Sequence, residues 1–234
     1  MNQGRRIEKD SLGEVSVPED AWYGAQTARA VANFPISGRG PDVDFIRAHV
    51  RIKRAAAIAN TQPGWLNAES ATAIVTACDA VLGGRYLDQF VVDRFQAGAG
   101  TSHNMNSNEV IANLANVALG GKKGVYTPIH PNDHVNMGQS TNDTIPTAIR
   151  LAVLAKLPRL IAAVTAMADE FARIAERERD TVKSARTHLQ DAVPTTIGRE
   201  FDGYAWILRR AVGHLAGLRG PLGEIGLGGS AAGT

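Results

Sequence analysis

Residues 144–178 read TIPTAIRLAVLAKLPRLIAAVTAMADEFARIAERE, and this stretch decides the fold. Its apolar side chains recur in strict steps of four and three residues, at Val153, Leu157, Leu160, Val164, Met167, Phe171 and Ile174. Such a heptad seam indicates a long helix that packs in a bundle. At about 1.5 Å per residue this helix is expected to be on the order of 50 Å long. Because the seam keeps its register through Pro158, we expect the proline to bend the helix rather than break it.

A second bundle-like helix is predicted after Pro194, with one continuous apolar face. That face carries Ile197, Phe201, Tyr204, Ile207, Leu208, Ala211 and Leu215. The chain then runs into the glycine-rich segment GGSAAGT at residues 228–234. Because turn-forming residues are an unusual end for a domain, we expect the sequence to be a fragment of a longer one.

The N-terminal part of the chain predicts shorter helices and no recognisable run of alternating strands. Pro18 is expected to start the first helix, and Thr101 or Ser102 to cap the fourth. The four predicted helices cover about residues 18–33, 43–61, 68–82 and 101–120. We therefore predict an all-α protein with a compact helical domain at residues 1–139 and an incomplete long-helix bundle at residues 140–234.

Composition points to a globular protein with a small-molecule partner. Of the 234 residues, 44% are hydrophobic and 21% are charged, and 25 basic against 23 acidic side chains give a net charge of +2. Without a basic run, binding to nucleic acid or to a membrane surface is not expected. The N-terminus has no apolar signal region, and no stretch of about 18 uninterrupted apolar residues occurs. We therefore expect a cytoplasmic protein.

Polar and hydroxyl residues concentrate in three short segments, each placed before a predicted helix. Unpaired backbone N–H groups and the positive end of the helix dipole make such a helix start an anion site. Sites of this kind converging in space would suit a substrate with two carboxylates. The alternative is that these residues only cap helices. The segments are GAGTS at residues 98–102, GQSTND at 138–143 and SARTH at 184–188.

Other kinds of site are not supported by the sequence. No lysine follows Gly100 as a phosphate-binding loop requires, and His103 replaces a glycine of the dinucleotide fingerprint. His130 and His134 are four residues apart, but their surroundings have a turn composition and no zinc-protease pattern, so no metal is expected. From the residues alone, His188 could be structural or could transfer protons next to an anion site.

Long motifs in the chain resemble those of the aspartase and class II fumarase family. The resemblance extends over essentially the whole chain and begins with RIEKDSLGEVSVPEDAWYGAQT near the N-terminus. It implies a three-domain, almost wholly helical subunit that forms a homotetramer, with active sites each built from three subunits. The other matching motifs are GAGTSHNMNSNEVIAN at residues 98–113, HPNDHVNMGQSTNDTIPT at 130–147, RTHLQDAVP at 186–194 and LGGSAAGT at 227–234.

The resemblance also implies residue roles. Thr101 is expected to bind a substrate carboxylate, while Ser140, Thr141 and Asn142 hold the substrate at the start of the long helix. Thr187 and His188 complete the pocket, with His188 contacting a carboxylate or serving in a proton relay. His130 matches a position that lines a secondary dicarboxylate site in fumarases, although a purely structural role is the preferred interpretation.

The mechanism implied by the resemblance is an anti elimination that gives fumarate. A base removes a proton from the carbon next to a carboxylate, and ammonia or water leaves from the resulting aci-carboxylate dianion. Hydrogen-bond donors fixed in place stabilise that dianion most. This chemistry requires no metal and no organic cofactor. The serine base of the family lies in a downstream loop that is missing from this sequence, so residues 1–234 alone are expected to be inactive.

The leaving group distinguishes two alternatives within the family. Ala99, Thr141 and Val193 replace residues usual in fumarases and favour aspartate ammonia-lyase, whereas His130 and the Leu227–Gly229 segment favour fumarate hydratase. Ala185 and Arg199 depart from the residues usual in the family, and Ala185 is close enough to Thr187 to alter its loop. A different class, a non-catalytic helical bundle, is disfavoured because all three polar segments are retained.

Overall fold

The computed structural model describes residues 4–230 and is mostly helical, as predicted. By its contacts the chain divides into two units, one reaching Ala152 and continuing from Ile225, the other spanning Val153–Glu224. The strands are β1 (Arg5–Asp10), β2 (Gly13–Pro18), β3 (Val182–Thr187) and β4 (Gln190–Thr196). The helices are α1 (Ala25–Asn33), α2 (Val43–Ala59), α3 (Ala68–Leu82), α4 (Thr101–Ala118), α5 (Thr141–Arg177), α6 (Ile197–Gly217) and α7 (Arg219–Gly223).

The N-terminal segment forms a hairpin, and the prediction of a helix starting at Pro18 was wrong. β1 and β2 are antiparallel, and Pro18 pairs with Arg5 at the end of the ladder. A proline fits there because it has no N–H to donate to a further rung. The first helix starts only at Ala25.

The N-terminus of α1 is held by a buried carboxylate from α4. Oε2 of Glu109 accepts hydrogen bonds from the backbone N–H of Gly24 at 2.9 Å and of Thr27 at 3.0 Å, and from the Thr27 hydroxyl at 2.6 Å. Oε1 accepts from Gln26 N–H at 2.9 Å. These groups are among those that a helix start leaves unpaired, so one side chain of α4 fixes where α1 begins.

The core of the first unit lies between α2, α3 and α4. The bounds of α3 agree with the prediction, and α2 ends two residues earlier than expected, at Ala59. Cys78 is fully buried in this core, and burial raises the pKa of its thiol to about 12. The fully buried apolar residues of the core include Val50, Ile74, Val81, Val110, Ile111, Ala115 and Ile129.

The long helix was correctly predicted, since α5 runs without interruption through Pro158. Within the second unit, the Phe171 ring lies 5.5 Å from Phe201 and 5.9 Å from Tyr204 on α6. A Cβ atom at Gly198 would stand 2.6 Å from the backbone oxygen of Ala175, so only glycine permits this close packing of the two helices. Much of the remaining seam is exposed.

By length and composition alone, α5 is also apolar enough to cross a membrane. Its apolar residues follow the heptad spacing of a bundle helix, and Leu157 and Ala168 on it are already buried against protein. A packed bundle accounts for the composition of α5 without a membrane.

A second hairpin, which the sequence did not reveal, precedes α6. β3 and β4 are antiparallel, with Thr187 opposite Gln190 and an irregular register between Ser184 and Arg186. The third polar segment was expected at a helix start, and that expectation was wrong, because its residues lie on β3 and in the following turn. The helix behind this hairpin begins at Ile197, where the Thr196 side chain caps it.

Candidate active site

Gly100 ends the loop that leads into α4 and sets the direction of that helix. It is the N-cap residue and has a left-handed φ of 82°, so the prediction that Thr101 or Ser102 caps the helix was wrong. A Cβ at Gly100 would lie 2.9 Å from Cγ2 of Ile145 on α5. Glycine therefore allows the start of α4 to approach α5 closely.

The loop before Gly100 is held by the carboxylate of Asp93. Its oxygens accept hydrogen bonds from Ser37 N–H at 2.7 Å, the Ser37 hydroxyl at 2.8 Å, Gly38 N–H at 2.8 Å and Phe95 N–H at 2.8 Å. Desolvation acts to raise the pKa of Asp93, but these hydrogen bonds outweigh it and lower the pKa to about 2. The hydrogen bonds to Asp93 therefore hold in place the loop that leads to Thr101.

The start of α5 carries the predicted cluster Ser140, Thr141 and Asn142. Ser140 N–H donates to Oδ1 of Asp143 at 3.1 Å, and Ser140 O accepts from Thr144 N–H at 3.0 Å. The bond from Ser140 N–H to Asp143 is one half of a capping box, in which the side chain of the third helical residue bonds back to the cap. The Ser140 hydroxyl also bonds the side-chain oxygen of Asn142.

The two helix starts meet at Asn104. The Asn104 amide donates a 3.2 Å hydrogen bond to the Thr141 hydroxyl oxygen. Thr101 lies three residues before Asn104, which places it on the same side of α4, and its side chain is exposed. The structure therefore brings the Thr101 and Thr141 regions together, and two positive helix ends with hydroxyl groups can bind a carboxylate there.

The last described residues pack on the start of α5. Gly228 N–H donates to Oδ2 of Asp143 at 2.9 Å, and the Asn142 amide donates to the backbone oxygen of Ser230. The motif at residues 227–234 therefore begins beside the α5 cluster, and residues 231–234 lie outside the described part of the chain.

A cavity of about 280 Å³ opens beside Thr101. Gln26 and Arg29 of α1 also line it. The Arg29 guanidinium is 2.9 Å from a carboxylate oxygen of Asp10, so its charge is already paired. The cavity has room for a small ligand beside Thr101, and it is lined by α1 and the β1–β2 turn rather than by the α5 cluster.

Thr187 and His188 belong to the second unit, where the β3–β4 hairpin positions them. His188 and Leu189 form its two-residue turn, both with positive φ, 52° and 63°. That geometry is normally adopted by Asn-Gly or Asp-Gly, and larger residues in it are strained. All three side chains are exposed. The turn therefore presents the imidazole to solvent at the tip of a hairpin.

His130 has a local structural role. Its Nδ1 accepts backbone N–H bonds from Asn132 at 3.3 Å and Asp133 at 3.2 Å, and so caps the short helical turn Pro131–Val135. His134 in turn accepts from His130 N–H at 2.8 Å. Within residues 4–230, no group of three or more His, Cys, Asp or Glu side chains is arranged to hold a metal ion.

Buried polar residues, which were not predicted from the sequence, lie behind Thr141. Nζ of Lys53 is 2.7 Å from Oδ1 of Asn104 and 2.9 Å from Oδ1 of Asn136, and Lys53 is fully buried. His49 is also fully buried, one turn earlier on α2. The available signal was the position of His49 and Lys53 on the same helical stripe as Ile46, Val50 and Ala57.

The chain is mostly helical, with a long bundle helix whose start lies beside the start of α4. The chain belongs to the lyase family, whose model matches residues 13–234.

Within that family the chain is similar to two kinds of enzyme. It is 48% identical over 234 residues to an aspartate ammonia-lyase from Bacillus sp, covering 100% of this chain and 50% of the relative. It is also 48% identical over 235 residues to a class II fumarate hydratase from Halobacterium salinarum, again covering 100% of this chain and 50% of the relative. The chain therefore spans about half the length of the curated relatives it matches.

Solved structures agree with this assignment. A fumarate lyase:delta crystallin from Brucella melitensis superposes with a TM-score of 0.93 at 46% identity, covering 99% of this chain and 51% of that one. A class II fumarase from Schistosoma mansoni gives a TM-score of 0.90 at 35% identity, covering 99% of this chain and 49% of that one.

Proposed function

We propose that the complete protein containing this chain catalyses the reversible anti elimination of ammonia from L-aspartate to give fumarate. The observation that carries the proposal is the contact of Asn104 with Thr141, which joins the two helix starts expected to bind the substrate. Membership of the lyase family and similarity to an aspartate ammonia-lyase support it.

In this proposal the substrate is a dicarboxylate. Thr101 binds one carboxylate, and Ser140, Thr141 and Asn142 hold the substrate at the start of α5. Thr187 and His188 complete the pocket, and His188 contacts a carboxylate or relays a proton. For His130, the hydrogen bonds that cap its own turn support a structural role rather than a secondary dicarboxylate site.

The chemistry needs stabilisation of negative charge rather than a metal or an organic cofactor. A base takes the proton from the carbon next to one carboxylate, whose oxygens then carry two negative charges. The electron pair then forms the double bond and expels the amine as ammonia. Hydroxyl donors and helix ends that are already oriented lower the energy of the dianion most, because they need no reorganisation during the reaction.

Fumarate hydratase is the alternative within the same mechanism, with water as the leaving group. Equal identity of 48% to an aspartate ammonia-lyase and to a class II fumarate hydratase does not separate them. Ala99, Thr141 and Val193 favour ammonia, whereas His130 and the segment from Leu227 favour water.

Assembly and location are part of the proposal. We expect a cytoplasmic homotetramer with each active site built from three subunits, and a domain boundary between residues 139 and 140. The exposed seam residues of α5, among them Leu160 at 49% and Met167 at 45% exposed, support further helix packing in the complete protein.

The proposed function is tested by fumarate absorbance with the complete protein. L-Aspartate and L-malate are supplied in separate reactions at the same concentration. We expect fumarate from L-aspartate. Turnover of L-malate alone would assign the protein as a fumarate hydratase, and no fumarate from either substrate would favour the non-catalytic alternative.

A further inference from the structure

Lys53 is a fully buried lysine whose hydrogen bonds go to two neutral carboxamides. Its Nζ donates to Oδ1 of Asn104 at 2.7 Å and to Oδ1 of Asn136 at 2.9 Å. Burying an amine is costly unless its N–H groups are well bonded. A lysine in such a place needs a reason other than packing.

The lysine determines which way the Asn104 side chain is turned. The protonated Nζ has hydrogen-bond donors and no acceptor. The atom of Asn104 that faces it therefore has to be the oxygen. The amide nitrogen therefore faces the other way, where it donates to Oδ1 of Asn136 at 3.1 Å and to the Thr141 hydroxyl oxygen at 3.2 Å. With the amide reversed, two donors would face each other at Lys53.

The orientation of Asn104 in turn determines whether the Thr141 hydroxyl is free to donate its hydrogen to a ligand. A hydroxyl has one hydrogen to donate and accepts through its oxygen. Because the oxygen of Thr141 already accepts from Asn104, its hydrogen is directed elsewhere. An anion at the start of α5 offers the acceptor that this hydrogen needs.

Asn136 is fixed by the same lysine. Its Oδ1 accepts from both Lys53 and Asn104, and its amide nitrogen donates to the backbone oxygen of Gln139 at 3.2 Å. Gln139 is the residue before Ser140. The lysine therefore holds both the hydroxyl of Thr141 and the backbone that enters α5.

We propose that Lys53 is a positioning residue of the substrate site, which orients Asn104 and Asn136 so that the Thr141 hydroxyl donates to a substrate carboxylate. This rests on the proposed function for the identity of the substrate. Desolvation lowers the pKa of Lys53 to about 7. The neutral amine keeps two N–H groups for its two acceptors but also has a lone pair, so the protonated form is the one that excludes a reversed Asn104 amide.

The test is a double-mutant cycle in the complete protein with succinate as the ligand. Succinate has two carboxylates and no group to eliminate, so calorimetry gives a dissociation constant that does not depend on catalysis. We expect Lys53→Met and Thr141→Val each to weaken succinate binding by about tenfold, since hydrogen bonds to charged groups are of this strength. The double variant should bind no more than about twofold more weakly than Thr141→Val alone, because one residue acts through the other.

Matched controls separate positioning from general loss of stability. Asn116 is a fully buried asparagine on α4, the helix of Asn104, and its side-chain amide bonds the backbone of Ile129. Asn116→Ala should lower the unfolding temperature without changing succinate affinity. Thr141→Ser keeps the hydroxyl and should restore binding. If Lys53→Met does not fold, Asn104→Asp takes its place, since aspartate still accepts from Lys53 but cannot donate to Thr141.

Three outcomes would overturn the assignment of Lys53. These are wild-type affinity in Lys53→Met, a double variant weakened by about a hundredfold as the product of the single effects, or no succinate binding by the wild type. Activity on L-aspartate and L-malate is measured on the same wild-type sample. Succinate binding without turnover of either substrate would contradict the proposed function, and the cycle would still decide the role of Lys53.

Discussion

The imidazole rings of His49 and His103 lie 5.1 Å apart in the core of the first unit, and both are fully buried. Nδ1 of His49 bonds the Ser107 hydroxyl at 2.9 Å, whereas neither buried nitrogen of His103 has a hydrogen-bond partner within residues 4–230. The His103 ring instead contacts Phe45 and Phe90, with centroids 4.6 Å and 6.1 Å away. His103 thus occupies a place suited to a third aromatic hydrocarbon ring.

We therefore predict that His103→Phe stabilises the protein. An unbonded buried polar group costs about 1–3 kcal/mol, and phenylalanine removes that cost while keeping an aromatic ring beside Phe45 and Phe90. The free energy of unfolding is measured by urea denaturation of the complete protein at pH 7. The exposed His214→Gln serves as control and should stay within about 0.5 kcal/mol of wild type. A less stable His103→Phe would mean that the nitrogens have a partner in the assembled protein.

His103→Phe should also make the free energy of unfolding less sensitive to acid pH. Burial and the nearby Lys53 charge lower the pKa of His103 from 6.5 to about 3. Between these values the unfolded chain binds a proton that the folded chain does not, so stability falls as pH falls from about 6.5 towards 3. His103→Phe lacks this contribution, and its advantage over wild type should grow between pH 7 and pH 4. If the difference in unfolding free energy between His103→Phe and wild type stayed constant from pH 7 to pH 4, the pKa of His103 would not be lowered in the folded protein.

Local periodicity made α3 and α5 predictable, because the apolar pattern of each helix is contained within its own residues. The two hairpins were missed because their turns, Ser11-Leu12 and His188-Leu189, lack the Asn-Gly or Asp-Gly signal of a two-residue turn. In the candidate site, the α5 cluster was recognisable from its capping sequence. Lys53 and Asn104 were not, since their bond joins residues 51 positions apart in sequence. The local indication was the position of two polar residues, His49 and Lys53, on the apolar stripe of α2.

The hairpin tip provides a prediction about activity. Thr187→Val and His188→Ala should each reduce turnover in the complete protein by about tenfold or more, because a lost hydrogen bond to a charged group costs about 1.5–3 kcal/mol. Thr195→Val on β4 of the same hairpin is the control and should keep wild-type kinetics. Fumarate absorbance at saturating substrate is the measurement, with light scattering to verify an unchanged mass. Wild-type turnover in either variant would remove that residue from the proposed site.

The turn itself should respond to the conformational preference of residue 189. Leu189 is 91% exposed and has a φ of 63°, so its side chain contributes little packing while its backbone is strained. Leu189→Asn should raise the thermal unfolding midpoint, because asparagine tolerates the left-handed region, whereas Leu189→Val should lower it, because branching at Cβ does not. The difference between the two variants is expected to be about 1 kcal/mol or more. Shifts of the same sign would show that the strain is absent in solution.

The last prediction concerns Glu109, whose carboxylate holds the start of α1. Glu109→Gln places an amide NH₂ against N–H and O–H donors, so at least one donor loses its acceptor while the size of the side chain is kept. We expect the free energy of unfolding to fall by about 2 kcal/mol or more. The exposed Glu69→Gln, in the first turn of α3, removes only a charge near a helix start and should cost less than about 1 kcal/mol. Hydrogen exchange locates the effect, since the amides of Gln26 and Thr27 should exchange faster in Glu109→Gln and at the wild-type rate in Glu69→Gln. Equal stability of the two variants, with unchanged exchange at Thr27, would mean that α1 is held by its packing and not by this carboxylate.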